Sequence, residues 1–302
     1  MRTTAPPRRL AALGGSYGNV AALQACLDDA RAQGAEGLAF LGDAVGCCGQ
    51  SEEVLAVVRA HFDVLVAGNH EQQAAARADT CGCGYSSPDD EAVSCDAFRL
   101  ATEALTDASR AWLATWPERA IVETEGGAVL LCHGSPGHTS EFLYEHELDD
   151  LRLEAWLDHF SVRGFVCTHS GLPWVRRLRG GRFAVNCGAV GKADHDGDPA
   201  VHYAWIDLPK VGDASIEIRR VPYDHEAQAR RMERAGIAPV FVDPIRTGVW
   251  TTGVASLPPS ERHRWLRASD AARVDAPRHA WRPESLDAGA LAATLGWFSA
   301  RG

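Results

Sequence analysis

The chain has 302 residues, 46% of them hydrophobic and 23% charged, with a formal net charge of −10. That length and apolar content suit one large α/β domain or two small ones, and they exclude disorder by composition. The negative balance argues against sequence-independent nucleic-acid binding, which needs a basic footprint, whereas a small anionic substrate stays possible because a bound metal can reverse the local field.

No apolar stretch approaches the roughly 18 residues of a membrane span. The opening MRTTAPPRRL lacks the apolar core of a signal peptide and runs straight into a strand pattern. The expectation is a soluble cytoplasmic protein with no nucleic-acid or membrane partner. The nine cysteines are odd in number, in a long chain without an export signal, so no disulfide framework is expected.

In chain order, Arg8–Leu13 reads as a buried strand. Asn19–Gln33 places Val20, Leu23, Leu27 and Ala30 at helical spacing, with Asn19 as N-cap. Gly37–Leu41 is a second strand, ending in Gly42-Asp43. Ser51–His61 opens with a serine cap and two acids, then turns helical. Asp63–Ala67 is a third strand and ends at GNHE, Gly68–Glu71. This alternation predicts a parallel sheet with helices on both faces.

Residues 79–95 are rich in Gly, Ser and Asp and read as a loop or lid. Helical stretches follow at Glu91–Thr106 and Asp107–Trp116. Ala120–Cys132 reads as a hairpin turning at Gly126-Gly127. Glu147–His159 is a helix and Gly164–Cys167 a strand ending in THSG. Val175–Asn186 is a second hairpin, turning at Gly180-Gly181. Val201–Leu208 and Ser215–Val221 form a last strand pair, and Glu226–Ala235 a helix. From Thr247 the chain becomes Arg-, Pro- and Trp-rich with weak periodicity. The expected division is a main domain over 1–246 and a tail or small accessory subdomain over 247–302. Whether that tail closes the site or makes a homo-oligomer contact is left open.

Four polar motifs fall just after apolar strands: Gly42-Asp43, Gly68–Glu71, Cys132–Gly134 and Thr168–Gly171. Ligands in open α/β sheets gather at the carboxyl ends of strands. Asp43, Asn69, His133 and His169 would there supply a carboxylate, an amide oxygen and two imidazoles. Such a mixed O/N set suits Mn, Fe, Zn or Ni better than Ca or Mg. A lone histidine at a strand end is more often structural; the ordered series of four motifs carries the inference.

With these motifs, and with the stretches LGDAVG, GNHE, CHGSPG, VNCGAVG and RRVPYD, the chain resembles the calcineurin-like metallophosphoesterases in their small bacterial branch, from about Arg8 to Trp250. The resemblance implies an α/β fold of two mixed β-sheets packed face to face with helices outside, an αββα sandwich, and two metals at the strand ends. The family's first motif is Asp-x-His-Gly-Asn, where this chain has Gly15-Ser16-Tyr17-Gly18-Asn19. Its last motif is Gly-His-x-His, where this chain has Thr168-His169-Ser170-Gly171. Three of the four ligands of one metal are therefore replaced, by Gly15, Tyr17 and Gly171. The four of the other remain as Asp43, Asn69, His133 and His169. The expectation is one divalent transition metal and no second.

By the same resemblance, His70 is the group that protonates or steadies the leaving oxygen. One metal can still lower a water's pKa, toward about 7 in a dry site, and polarise an oxygen. It would lack the second charge that stabilises a phosphoryl transition state. The side chains missing at Gly15 and Gly171 leave room for a substrate group. Tyr17 either donates a hydrogen bond, acts as acid or base or ligates Fe, or merely packs under a loop. His138 and His195 are candidate replacement ligands. Cys47-Cys48 stands where relatives usually have Tyr-Gly, and Asn186-Cys187-Gly188 where they have Asn-Pro-Gly. Cys47 and Cys187 should then border the pocket, as thiolate ligands, nucleophiles or small space fillers. Cys81, Cys83 and Cys95 form a weak candidate for a structural Zn site. Three functions follow: a hydrolase of a small phosphoester or nucleotide-like substrate, a repurposed metalloenzyme with lyase or biosynthetic chemistry, or an inactive member that binds a phosphorylated ligand or partner.

Overall fold

The computed structural model describes residues 5–264. In chain order the elements are β1 (Arg9–Leu13), α1 (Val20–Ala32), β2 (Gly37–Phe40), α2 (Ser51–His61), β3 (Val64–Leu65), α3 (Asn69–Ala76), α4 (Pro88–Glu103), α5 (Asp107–Leu113), β4 (Arg119–Thr124), β5 (Gly127–Cys132), α6 (Asp150–Phe160), β6 (Gly164–Cys167), β7 (Trp174–Arg177), β8 (Phe183–Asn186), β9 (Val201–Asp207), β10 (Ser215–Val221), α7 (His225–Arg234) and α8 (Pro239–Thr247). No helix among the described residues is long and apolar enough to cross a membrane.

The strands form two five-stranded sheets, ordered β10-β9-β1-β2-β3 and β4-β5-β6-β8-β7. Both are mixed. In the first, β1 runs parallel to β2 and antiparallel to β9; in the second, β6 runs parallel to β5 and β8, while β7 returns antiparallel on β8. The side-chain period of two then sorts each strand between two cores. Leu10, Ala12, Ala39 and Leu41 of the first sheet share one buried cluster with Leu131, Val166, Phe183 and Val185 of the second. Ala11, Leu13, Leu38 and Phe40 turn the other way, onto Leu23 and Leu27 of α1 and Val54 and Val58 of α2. Leu130, Phe165 and Cys167 likewise turn onto Leu153 and Leu157 of α6. Helices therefore cover only the outer faces. This is the αββα sandwich that the family resemblance implied; the one-sheet expectation drawn from strand–helix alternation alone fails because a strand buried on both sides reads as the same apolar run whether a helix or a second sheet covers it.

Local differences have local causes. Asn19 caps α1 as expected, accepting from Ala22 N at 3.1 Å. Ser51 is not the cap of α2 but its first helical residue, and its hydroxyl donates to Ala101 O at 3.0 Å. The 79–95 loop is shorter than expected, because Ser87 caps α4 through Asp90 N with Pro88 in the first turn. The expected helix over Glu147–His159 begins at Asp150, where Asp149 caps it. Two short helices, α3 and α8, were not expected. The first starts inside GNHE itself, and the second carries an internal proline, Pro244. Cys81 and Cys83 are joined as a disulfide across one residue. Among the described residues it is a single local pair where no disulfide framework was expected; of the suggested Zn site, Cys81 and Cys95 lie close together with Glu91. Residues 265–302 of the expected tail lie outside the described residues. Of the rest, Trp250, Thr252, Gly253 and Leu257 line the cavity described next.

Candidate metal centre and its cavity

The strand-end loops meet by close backbone approach. A Cβ on Gly42 would strike the backbone nitrogen of Gly68, and one on Gly68 would strike the Asp43 carboxylate, so neither position has room for a side chain. Glu71, on the first turn of α3, fastens the two loops. Its fully buried carboxylate accepts from Asp43 N at 2.7 Å, Ala44 N at 2.8 Å and Gly68 N at 2.8 Å. Burial and the nearby Asp43 charge raise its pKa, but three N–H donors hold both oxygens as acceptors.

Asp43, His133 and His169 converge, with their ligand atoms all within 4.8 Å of one another. His133 Nδ1 faces Leu41 O at 2.6 Å, and His169 Nε2 faces Cys83 O at 3.2 Å. A carbonyl only accepts, so both of those nitrogens carry the proton. The remaining two, His133 Nε2 and His169 Nδ1, then point lone pairs at each other across 3.0 Å, and Asp43 Oδ2 lies 3.2 Å from His133 Nε2. Three electron-rich atoms this close call for a cation among them. Ligands held at about 2.1 Å from one metal sit roughly 3 Å apart when adjacent.

Asn69, the expected fourth ligand, opens α3 beside these loops. Its Nδ2 donates to Cys81 O at 2.8 Å, while its buried Oδ1 has no hydrogen-bond partner. A buried amide oxygen left unpaired is costly, and a metal would satisfy it. The loop carrying Cys81 and Cys83 thus orients two of the four donors through its carbonyls. These donors fit a divalent metal of mixed O/N preference.

The electrostatics agree with metal-ready ionisation. Burial pushes the Asp43 pKa up, but His133 and His70 outweigh it and hold the carboxyl well below its usual range. Burial, reinforced by His133, pulls His169 down to about 3, so its imidazole is neutral. Burial lowers the His133 pKa, but Asp43 outweighs it, so the carboxylate favours a positive charge, proton or metal, at His133 Nε2. Of six described non-glycine residues with positive φ, Tyr17, Asp43, His169 and His195 are four. Strained backbone concentrates at this end of the sheets.

His70 stands beside these donors. Its Nδ1–H donates to Val45 O at 2.7 Å, and its Nε2 lies 3.5 Å from Cys83 Sγ. Asp43, His70, His169, Tyr17, Cys47 and Gly171 all border one cavity. An aromatic wall continues from His169: Phe142 lies 4.3 Å from its ring, Tyr144 stacks on Phe142 at 5.9 Å and 2°, and Tyr85 leans on Phe142 at 5.5 Å.

The space beside Gly15 is not open. A Cβ there would sit 3.1 Å from the Tyr17 hydroxyl and 3.1 Å from Ala189 Cβ, because the Tyr17 ring folds back over it. Gly171 faces the Trp250 ring, 3.5 Å from where its Cβ would be. Burial and the Asp43 charge push the Tyr17 pKa far up, which casts the phenol as a hydrogen-bond donor rather than a base or an anionic ligand.

Three candidates lie elsewhere. Cys187 is fully buried between the sheets, its thiol pushed up to about 12 by burial, and does not reach the cavity. His138 is exposed in a separate groove with Gln72 and Arg119, accepting from Ser140 N at 3.2 Å. His195 spends both nitrogens elsewhere, accepting from Trp250 N at 2.8 Å and donating to Arg262 O at 3.0 Å. Glu71, Lys192 and the aromatic wall escaped the sequence reading. Glu71 stood in view at the third helical position after Gly68, and Lys192 is one of only two lysines, with Lys210, among 30 basic residues.

Among solved structures, a metallophosphoesterase from Sphaerobacter thermophilus is 25% identical, with TM-score 0.61, covering 80% of this chain and 100% of its own. A hypothetical protein from Pyrococcus horikoshii OT3 shares the fold at 16% identity and TM-score 0.63, covering 80% of this chain and 99% of its own. No curated protein matches the sequence. The calcineurin-like phosphoesterase profile matches residues 10–210, two thirds of the chain, and the protein belongs to that family.

Proposed function

We propose that the protein is a mononuclear metal-dependent hydrolase of a small phosphoester with a planar, nucleotide-like organic group. The observation that carries this reading is the convergence of Asp43 Oδ2, His133 Nε2 and His169 Nδ1, supported by the buried, unpartnered Oδ1 of Asn69, the residue before His70. These four residues would hold Mn, Fe, Zn or Ni, which would supply Lewis acidity to a phosphoryl oxygen and to water. His70, held by Val45 O, borders the cavity, where in its imidazolium form it would pass the Nε2 proton to the leaving oxygen as water attacks phosphorus and the P–O bond breaks. The wall of Tyr85, Phe142 and Tyr144 would take the planar group and keep bulk water away.

A second reading is a repurposed mononuclear enzyme with lyase or biosynthetic chemistry. It is favoured by the Tyr17 and Trp250 rings, which fill the positions where the family keeps the ligands of its other metal. Metal analysis after anaerobic purification, followed by a phosphoester panel with the metal-loaded chain, separates the readings. About one metal per chain and turnover of a nucleotide-like ester are expected. Two metals would overturn the mononuclear assignment, failure on every phosphoester would favour the second reading, and no metal at all would favour an inactive binder.

A further inference from the structure

The loop after β8 is fastened to the loop after β1, with Val190 N donating to Gly14 O at 2.9 Å and Gly191 N to Gly15 O at 2.8 Å. A Cβ on Gly191 would strike the Ser16 carbonyl, so the two loops touch backbone to backbone. This contact fixes the next residue, Lys192, at the edge of the cavity that also holds Asp43, His70 and Tyr17. The Lys192 ammonium lies 3.7 Å from the centre of the Trp250 ring, the same ring that covers Gly171. Trp250 is itself pinned, donating from Nε1 to Ala193 O at 2.6 Å.

Among the described residues, the Lys192 ammonium has neither an ion pair nor a hydrogen bond. Asp90, the carboxylate nearest in influence, is engaged by Gly253 N, Ser256 N and Ser256 Oγ. Elsewhere the chain makes its ion pairs with arginine, as Arg219, Arg220 and Arg246 show. A half-buried cation resting on an aromatic face, without a carboxylate, has room for an anionic ligand. A lysine offers a compact point charge there, where an arginine would bring a broad fork.

We propose that Lys192 is the anion anchor of this cavity: its ammonium binds a phosphoryl oxygen and supplies the positive charge that the family's other metal would supply. The proposal rests on the hydrolase reading for its role in turnover, while the binding of phosphate tests it directly. Burial lowers the Lys192 pKa to about 8, with Cys47 and Asp90 pulling it back up, so the group is charged at neutral pH and poorly hydrated.

The experiment is titration of inorganic phosphate into the metal-loaded full chain, as wild type, Lys192→Met and Lys192→Arg, with metal content and Tm recorded for each. Lys192→Met is expected to weaken phosphate binding at least tenfold, with metal content and Tm unchanged. Lys192→Arg is expected to bind phosphate more tightly than Lys192→Met. Equal affinity in wild type and Lys192→Met, absence of phosphate binding in the wild type, or equal loss in the Arg and Met variants would each overturn the proposal. Lysine-dependent phosphate binding without turnover of any phosphoester would sink the hydrolase reading and leave the anchor standing. Turnover unaffected by Lys192→Met would do the reverse.

Discussion

Replacing Glu71 by glutamine tests how the centre is built. The Glu71 carboxylate holds three backbone N–H groups, two on Oε2 and one on Oε1. Glutamine keeps one acceptor oxygen and turns the other into an amide NH2, a donor. Its better orientation keeps the bonds from Asp43 N and Gly68 N and sets the NH2 against Ala44 N. One hydrogen bond to a charged group is worth about 1.5–3 kcal/mol, and a buried N–H left unpaired costs a similar amount. A loss of about 2–4 kcal/mol is therefore expected, or a fall in Tm of roughly 3–6 °C for a chain of this size. Asp43 is positioned through its own N–H by this carboxylate, so metal affinity should fall 10–100-fold, as for other groups that orient a ligand. Thermal unfolding with and without metal, together with chelator competition, reads both quantities. A Glu71→Gln protein with wild-type Tm and wild-type metal affinity would refute the argument. A lowered Tm with unchanged affinity would leave Glu71 as a staple of the fold only.

Other perturbations reach different parts of the site. Asp43→Ala should abolish metal binding, and unchanged metal content by elemental analysis would refute the ligand assignment. Tyr17→Phe keeps the ring over Gly15 and removes the hydroxyl; kcat should fall about tenfold with Tm unchanged, whereas unaltered kinetics would reduce Tyr17 to a space filler. His195 and His202 are held neutral by burial, each with its pKa lowered to about 4. An unfolded histidine titrates near 6.5, so their contribution is complete above about pH 6.5 and lost as pH falls toward 4, at up to about 1.4 kcal/mol per pH unit each. Protonating His195 also breaks its bond from Trp250 N, which loosens the segment over the cavity. Chemical denaturation at pH 7 and pH 5 should show that loss, and equal stability at both would contradict it.

Much of the strand architecture was legible in the chain, because RLAAL, GLAF and GFVC are short apolar runs bounded by turn residues. The convergence of Asp43, His133 and His169 was legible too, since each follows a strand. What covers a strand's second face was not legible in the apolar pattern, which reports burial and not the identity of the neighbour; only the family resemblance implied a second sheet. Cys187 and His195 illustrate the same limit: each lies in a loop beside the cavity, yet one turns between the sheets and the other ties down Trp250. Glu71 and Lys192 act through backbone groups and an aromatic ring distant in sequence, contacts with no periodic signature. The sequence by itself showed the strands, the longer helices and the polar groups that end the strands. The tertiary structure alone decided which loops touch, which side chains reach the cavity and which rings fill the ground at Gly15 and Gly171, because those follow from the order of strands in two sheets and not from any local pattern of residues.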